Sequence, residues 1–390
     1  MGVLAATIVV LLVGVWLGGH AGWIPSGIRG TFSNEGKTGQ FVQKVLDQVQ
    51  RDFYRRVNVT QLANDGLAGA VASLNDPYSH YYSPSEYNSF ANETNPRDKG
   101  IGVDVQANPK GLQITGILPD SPAERAGLQS GDVIVGVGHT NLAGHTATYA
   151  AALITGKPGT DVTITVLEGT QRVRLTLARA NLISPVASSR LLIYHGVKVG
   201  WLIFTQFTQG SGAQLRTQVN KMLHAGAQAL ILDLRDNGGG LLQEAINVAS
   251  IFIPDGTIVS TDGRTQPRQV YVAKGGAIST KIPLVVLVNR DTASSAEIVT
   301  AALQDRGRAK VVGTHTYGKG VYQEIQNLSN GGALEITVGH FFTPSGRSLG
   351  GGGDKRGAGV TPNVSVTENA TGKADRQLTV AEQTAAAGLR

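Results

Sequence analysis

Cysteine is absent from all 390 residues. Its absence excludes a disulfide frame, a thiolate metal site and a cysteine nucleophile. Long runs of lysine or arginine are missing too. The chain carries 34 basic and 28 acidic residues, a net charge of +6, but they are scattered. Such a distribution suits affinity for an anionic surface better than a nucleic-acid groove. No nucleic-acid partner is expected, and no metal or cofactor motif is read. Charge is also missing from the start of the chain, where Val3 to Gly19 is apolar throughout. That length is at the lower limit for a bilayer-spanning helix and also fits a signal-peptide core. No Lys or Arg precedes it, and a basic segment upstream of Met1 would account for that. Three readings stay open for residues 1–20: an uncleaved anchor crossing the membrane through residues 3–19, a cleaved signal with a weak site at Gly19-His20-Ala21, or a buried core helix. The first two put the rest of the chain outside the cytoplasm, held at the cell envelope or secreted.

What is present supports two or three domains with a substantial core, since hydrophobic residues make up 41 %. Residues 21–38, rich in Gly, Ser and Pro, read as a linker. Phe41, Val45, Val49 and Phe53 recur at helical spacing beside Val42 and Leu46. Thr60 is placed to cap a second helix carrying Leu67, Ala70, Val71 and Leu74, which Asn75-Asp76-Pro77 ends. Residues 39–97 are thus expected to be a helical segment. Within it the run Asp76 to Pro84 is turn-rich and aromatic. Its His80 reads as structural, because no Ser or Asp signal surrounds it.

From Lys99 the texture changes to short strands. Gly100-Ile101-Gly102-Val103 is followed by alternating apolar positions, then by Ser121-Pro-Ala-Glu-Arg-Ala-Gly-Leu128 and Gly131-Asp-Val-Ile134. Val162, Ile164 and Val166 alternate, as do Val173, Leu175 and Leu177, a closing hairpin. On these residues the block 98–180 resembles a PDZ domain. Consecutive amides of Gly100, Ile101, Gly102 and Val103 are expected to hold a substrate's terminal carboxylate, while the adjoining strand edge pairs with an extended peptide.

From Gly200 the pattern is strand–helix–strand. Trp201 to Phe204 is a strand, Leu215, Val219, Met222 and Leu223 share a helical face, and Ala229 to Arg235 is a buried-type strand. Asp236-Asn237-Gly238-Gly239-Gly240 then leads into a helix. A glycine loop at a helix start presents free amides, suited to a phosphate or to the oxyanion of acyl transfer. Pro283 to Val288 is the next strand, and Ser294 opens the helix after it. Lys319 follows after one more strand, between Gly318 and Gly320. Ser plus Lys is a workable nucleophile and base. Lysine's ordinary pKa of about 10.4 makes it a poor base at neutral pH, so this chemistry demands a desolvated amine with no carboxylate beside it.

Four strings carry a wider resemblance: Leu232-Asp-Leu-Arg-Asp-Asn-Gly-Gly-Gly240, Thr292-Ala-Ser-Ser-Ala-Glu-Ile298, Ala302-Leu-Gln-Asp305 and Thr316-Tyr-Gly-Lys-Gly320. Together, in this order and with the PDZ block before them, they resemble the carboxy-terminal processing (tail-specific) serine peptidases from about Phe41 to Pro362. The resemblance implies an α/β fold: a crotonase-like ββα peptidase core over 181–370, an N-terminal helical segment and an inserted PDZ-like β domain, with 371–390 as a tail. It implies a serine endopeptidase acting near the C-termini of proteins, apolar C-termini among them. Ser294 corresponds to the nucleophile, Lys319 to the general base and Gln323 to the residue that orients the lysine. The amides of Ser295 and Gly239 would be the oxyanion donors. Self-association is left open.

Several positions depart from the family pattern. Ser295-Ala296 reverses the usual Ala-Ser, so two adjacent hydroxyls compete; the spacing to Lys319 and the place of Glu297 favour Ser294. Gly238 stands where many relatives have Pro, Asp236 where Asn is frequent, and His315 where an acid is common, which reads as a rim residue. Asp305 is either a support residue or an exposed helix-end acid. Gly313 to Lys319 nearly completes a nucleotide-binding P-loop, but Gly320 replaces the required hydroxyl and a strand follows in place of a helix. No nucleophile-elbow motif accompanies the eight histidines. The rival that remains is a non-catalytic, membrane-anchored PDZ adaptor that binds protein tails. Leu378, Val380 and Ala381 are expected to dock the tail as a short helix, and the glycine-rich stretch 344–353 is expected to be a mobile loop.

Overall fold

The computed structural model describes residues 37–94, 97–183, 185–278, 280–368 and 374–389. The apolar segment Val3–Gly19 and nearly all of the 21–38 linker lie outside them. Among the described residues no helix is long and apolar enough to cross a membrane. The chain divides into two compact units, 1–77 and 78–390.

The first unit holds α1 (Lys37–Asp52) and α2 (Val59–Ala72). The cap of α2 is Asn58, not Thr60: its Oδ1 accepts the Gln61 N–H at 3.1 Å. Asn is the stronger cap, and it leaves the β-branched Val59 and Thr60 inside the first turn.

The second unit opens with β1 (His80–Tyr82), α3 (Pro84–Thr94) and β2 (Arg97–Gly100). His80 is an exposed strand residue, its ring 4.4 Å from that of Tyr82. A small β domain follows: β3 (Val103–Asn108), β4 (Gly111–Ile117), α4 (Pro122–Arg125), β5 (Val133–Val137), β6 (Thr140–Asn141), α5 (Ala147–Ile154), β7 (Asp161–Glu168) and β8 (Gln171–Ala178). Its sheet runs β3-β4-β5-β7-β8, with β6 on β5. The alternation of Val162, Ile164 and Val166 is realised as burial against Leu112, Ile134 and Ile101. β9 (Ala180–Ile183) pairs antiparallel with β2, so a two-stranded ribbon brackets the domain.

The larger domain contains β10 (Ala187–Tyr194), β11 (Val197–Phe204), α6 (Ser211–His224), β12 (Ala229–Asp233), α7 (Leu242–Ala249), β13 (Thr257–Asp262), β14 (Gln269–Val272), β15 (Leu284–Val288), α8 (Ser295–Asp305), β16 (Lys310–Gly313), β17 (Val321–Asn327), β18 (Ala333–Phe342), β19 (Val364–Ser365) and α9 (Arg376–Ala387). One sheet has the order β10-β11-β12-β15-β16-β19. Its members from β11 onward are parallel, and every residue of β12 and β15 is buried. Apolar runs of that kind are what a parallel sheet covered on both faces requires. Leu230, Leu232 and Val286 point into the cluster shared with α6, α7 and α8. Ala229, Ile231 and Val285 meet α9 through Ala381 and Ala385. The tail helix docks as expected, with Leu378 and Val380 packed partly buried beside it. Its Asp375 caps the Leu378 N–H and pairs with Arg235, which also holds Asp233 at 2.7 Å. A second sheet, β1-β18-β13-β14 with β17 on β18, contains the hairpin that follows Lys319.

Candidate active site

The site forms where β12, β15 and β16 end side by side. Ligands of open parallel sheets bind at that carboxyl edge. Three loops leave it: 234–241, 289–294 and 314–320.

The first two loops are bonded together. Asn289 donates Nδ2 to Asp236 Oδ1 at 2.7 Å and accepts the Asp236 N–H at 3.0 Å. Asn237 is fully buried, donates to the Phe204 carbonyl and offers its own carbonyl to the Ala293 N–H. Gly239 has φ +97° and lies so close to the serine turn that a Cβ there would come within 2.8 Å of Ala293 O, Ser294 Cβ and Ser295 N. The glycine loop and the serine turn therefore meet. The Gly239 N–H, expected as an oxyanion donor, instead donates to Asn237 Oδ1 at 2.9 Å. An Asn side chain two residues upstream captures it in an Asx turn.

The two adjacent serines differ sharply. Ser294 is half-buried at φ +54°, ψ −118°. That conformation costs a non-glycine residue on the order of 1–3 kcal/mol and collects at functional turns. Ser295 is 1 % exposed, and its hydroxyl donates to the Gly240 carbonyl at 2.8 Å. Its N–H lies in the first turn of α8, where helix donors have no intrahelical acceptor.

Glu297 joins the serine to the lysine. Three residues after Ser294, it occupies the position from which a carboxylate reaches back to the helix start. Its Oε2 accepts the Ser294 N–H and the Lys319 N–H, each at 2.9 Å. Its Oε1 accepts the Gly318 N–H at 2.8 Å and the Thr316 hydroxyl. The side chain is fully buried. Burial pushes this carboxyl above the usual range, while the bonds from Thr316, Gly318, Ser294 and Lys319 pull against it.

Lys319 is half-buried, and its Nζ lies 4.3 Å from the centroid of the Tyr78 ring. A Cβ on Gly320 would collide with the Leu349 carbonyl, and one on Gly318 would come within 2.5 Å of the Lys355 carbonyl. The glycine flanks thus permit the close packing expected around the lysine. Tyr78 was hidden in the turn-rich run. It is fixed by β1, which pairs with β18, and by Ser79, whose hydroxyl accepts the Thr337 N–H at 3.1 Å. Gln323 donates Nε2 to Thr337 Oγ1 at 3.0 Å, beside a bulge in the β17–β18 register, which leaves its Oε1 as the acceptor end.

Asp305 is a support residue. Its side chain is 8 % exposed and accepts the Ser345 N–H, the Ser345 hydroxyl at 2.6 Å and Arg347 at 2.6 Å. Burial pushes this carboxyl up, but the bonds from Ser345, Thr343 and Arg347 outweigh it and hold it below the usual range. The stretch 344–353 is held accordingly: Leu349 is 2 % exposed against Ala301 and Val360. His315 is exposed. In the β domain a cavity of about 240 Å³ is lined by Gly100, Ile101, Gly102 and Val103 together with Leu118 and Ile154. Among the described residues no group of His, Asp and Glu is arranged to hold a metal ion.

Residues 198–366 match the model of peptidase family S41, and residues 113–168 match that of a PDZ domain. A carboxyl-terminal-processing protease of Picosynechococcus sp. is 34 % identical over 299 residues, covering 76 % of this chain and 72 % of that protein. The chain belongs to peptidase family S41. The chloroplastic carboxyl-terminal-processing peptidase 2 of Arabidopsis thaliana is 34 % identical over 75 % of this chain and 58 % of its own length. The solved photosystem II D1 C-terminal processing protease has 27 % identity and a TM-score of 0.50, over 85 % of this chain and 88 % of that one. The chain spans 65 % of the length of a CtpA-like serine protease of Staphylococcus epidermidis, to which it is 30 % identical. The family and mixed α/β fold expected from the motifs are those found.

Proposed function

We propose that this S41 member is a serine endopeptidase that cleaves proteins near their C-termini, with Ser294 as nucleophile and Lys319 as base. One observation carries the reading. A single buried carboxylate, Glu297, accepts the backbone N–H of both residues, although twenty-five positions separate them in sequence. Neutral Lys319 takes the Ser294 Oγ proton as that oxygen attacks the scissile carbonyl, then returns it to the leaving amine. Gln323 holds the amine through an uncharged amide, which orients it without favouring the ammonium form as a carboxylate does. The Ser295 N–H stabilises the oxyanion at the α8 N-terminus. The second donor comes from the glycine loop, and Gly239 serves once Asn237 releases its N–H.

Protein substrates follow from this chemistry and from the PDZ domain. The cavity at Gly100–Val103 takes the substrate's C-terminus, and its lining by Val103, Leu118 and Ile154 suits an apolar terminal residue. The apolar stretch Val3–Gly19 supports placement of the catalytic part outside the cytoplasm. The decisive test is turnover of a protein with an apolar C-terminus. Ser294→Ala and Lys319→Ala should each lower kcat about 10³-fold or more. Ser295→Ala keeps its amide and should stay within about tenfold of wild type. A PDZ adaptor without catalysis remains the second reading, favoured by the Gly239 N–H being turned to Asn237. It prevails if wild type binds the substrate and leaves it intact.

A further inference from the structure

A cavity of about 520 Å³ lies beside the nucleophile turn, lined by Arg290, Thr314, His315, Thr316, Arg356 and Gly357. It belongs to the carboxyl ends of β15 and β16, on the loops that carry Ser294 and Lys319. Thr316 forms part of its wall and donates its hydroxyl to Glu297, which accepts the Ser294 N–H. The lining contains two guanidiniums, an imidazole and no carboxylate. The acid nearest in sequence, Asp291, pairs with Arg356 at 3.6 Å, with more than half of both side chains exposed. Among the described residues Arg290 has no ion-pair partner. The Arg356 guanidinium is seated 5.2 Å from the Tyr317 ring centroid.

We infer that this cavity is a carboxylate subsite that selects peptides with an acidic group near the scissile bond. The inference rests on the peptidase reading. Arginine presents a rigid fork of donors that matches a carboxylate with two parallel bonds, and a cavity of this volume accommodates a side chain with its flanking backbone. The carboxylate comes from an Asp or Glu side chain or from the peptide's own C-terminus.

The test uses the full chain and a set of peptides that share one cleaved sequence. Glu, Gln or Lys is scanned through the positions flanking the scissile bond, and each peptide is made as free acid and as amide. At one position wild type should prefer Glu over Gln in kcat/KM by roughly three- to tenfold, as partly exposed charge-assisted bonds allow. Arg290→Gln and Arg356→Gln should each shrink that ratio through KM, and Arg290→Glu should turn the preference toward Lys. If free acid against amide carries the preference and Arg290→Gln or Arg356→Gln shrinks it, the carboxylate is the terminal one; a free-acid preference that neither variant alters belongs to the cavity at Gly100–Val103 and overturns this subsite. Wild type that cleaves the whole set with a flat preference overturns this subsite alone, as does a preference that none of the variants alters. Wild type that cleaves no member of the set overturns the subsite together with the peptidase reading.

Discussion

Glu297 sits in a position no motif weighs by itself. It accepts four hydrogen bonds, three of them from the backbone of Ser294, Gly318 and Lys319. Glu297→Gln puts an NH₂ group against N–H or O–H donors and should cost about 1–3 kcal/mol in denaturant unfolding. Its kcat should fall about 10- to 100-fold with KM little changed, because the serine and lysine lose register. The pH dependence has a definite sign. With a folded value above the usual 4.5, Glu297 contributes stability that is full below that value and lost as pH rises through the folded one. Glu297→Gln should remove that decline from the stability profile. Asp305 behaves oppositely: its contribution is present above 3.8 and lost as pH falls through its lowered value. Tyr78 is the other residue hidden in the sequence. Tyr78→Leu removes the ring face that shields the Lys319 amine from water and should lower kcat about tenfold, while Tyr78→Phe, which keeps the ring, should retain most activity. Ser294 and Lys319 are proposed from their motifs and spacing, and Gln323 from the family resemblance alone. Spacing and Glu297 favour Ser294 over Ser295, and the folded turn adds a positive φ at Ser294 and a bond from the Ser295 hydroxyl to the Gly240 carbonyl.

At the scale of elements, periodicity carried most of the reading. The buried strands β12 and β15 and the helices around them follow from apolar spacing. One local expectation fails for a local reason: Asn58, two residues before Thr60, is the one whose side chain reaches the third helical N–H. The glycines of 344–353 predict a mobile loop, within which Leu349 is buried. Leu349 packs on Ala301 of α8, and its carbonyl lies against Gly320. Leu349→Ala should therefore cost about 2–4 kcal/mol in urea unfolding. It should also lower kcat, because the strand beginning at Val321 starts from that contact.

For the whole molecule, the order of parts was legible because each has its own texture: helical period, alternating strands, then strand–helix units. The β2–β9 ribbon closes the PDZ domain at its two ends. Replacing residues 101–179 with a short flexible loop should therefore leave the larger domain folded. That variant should lose the preference for apolar C-termini while the Ser294 turn stays intact. An unchanged preference would remove the PDZ cavity from substrate capture.

The proposed pairing of Ser294 with Lys319 on protein C-termini is tested by mass spectrometry of a protein with a free apolar C-terminus, incubated with wild type, Ser294→Ala or Lys319→Ala. A defined C-terminal fragment should be released by wild type and by neither variant. The same fragment released by either variant, or an intact substrate with wild type, would contradict it.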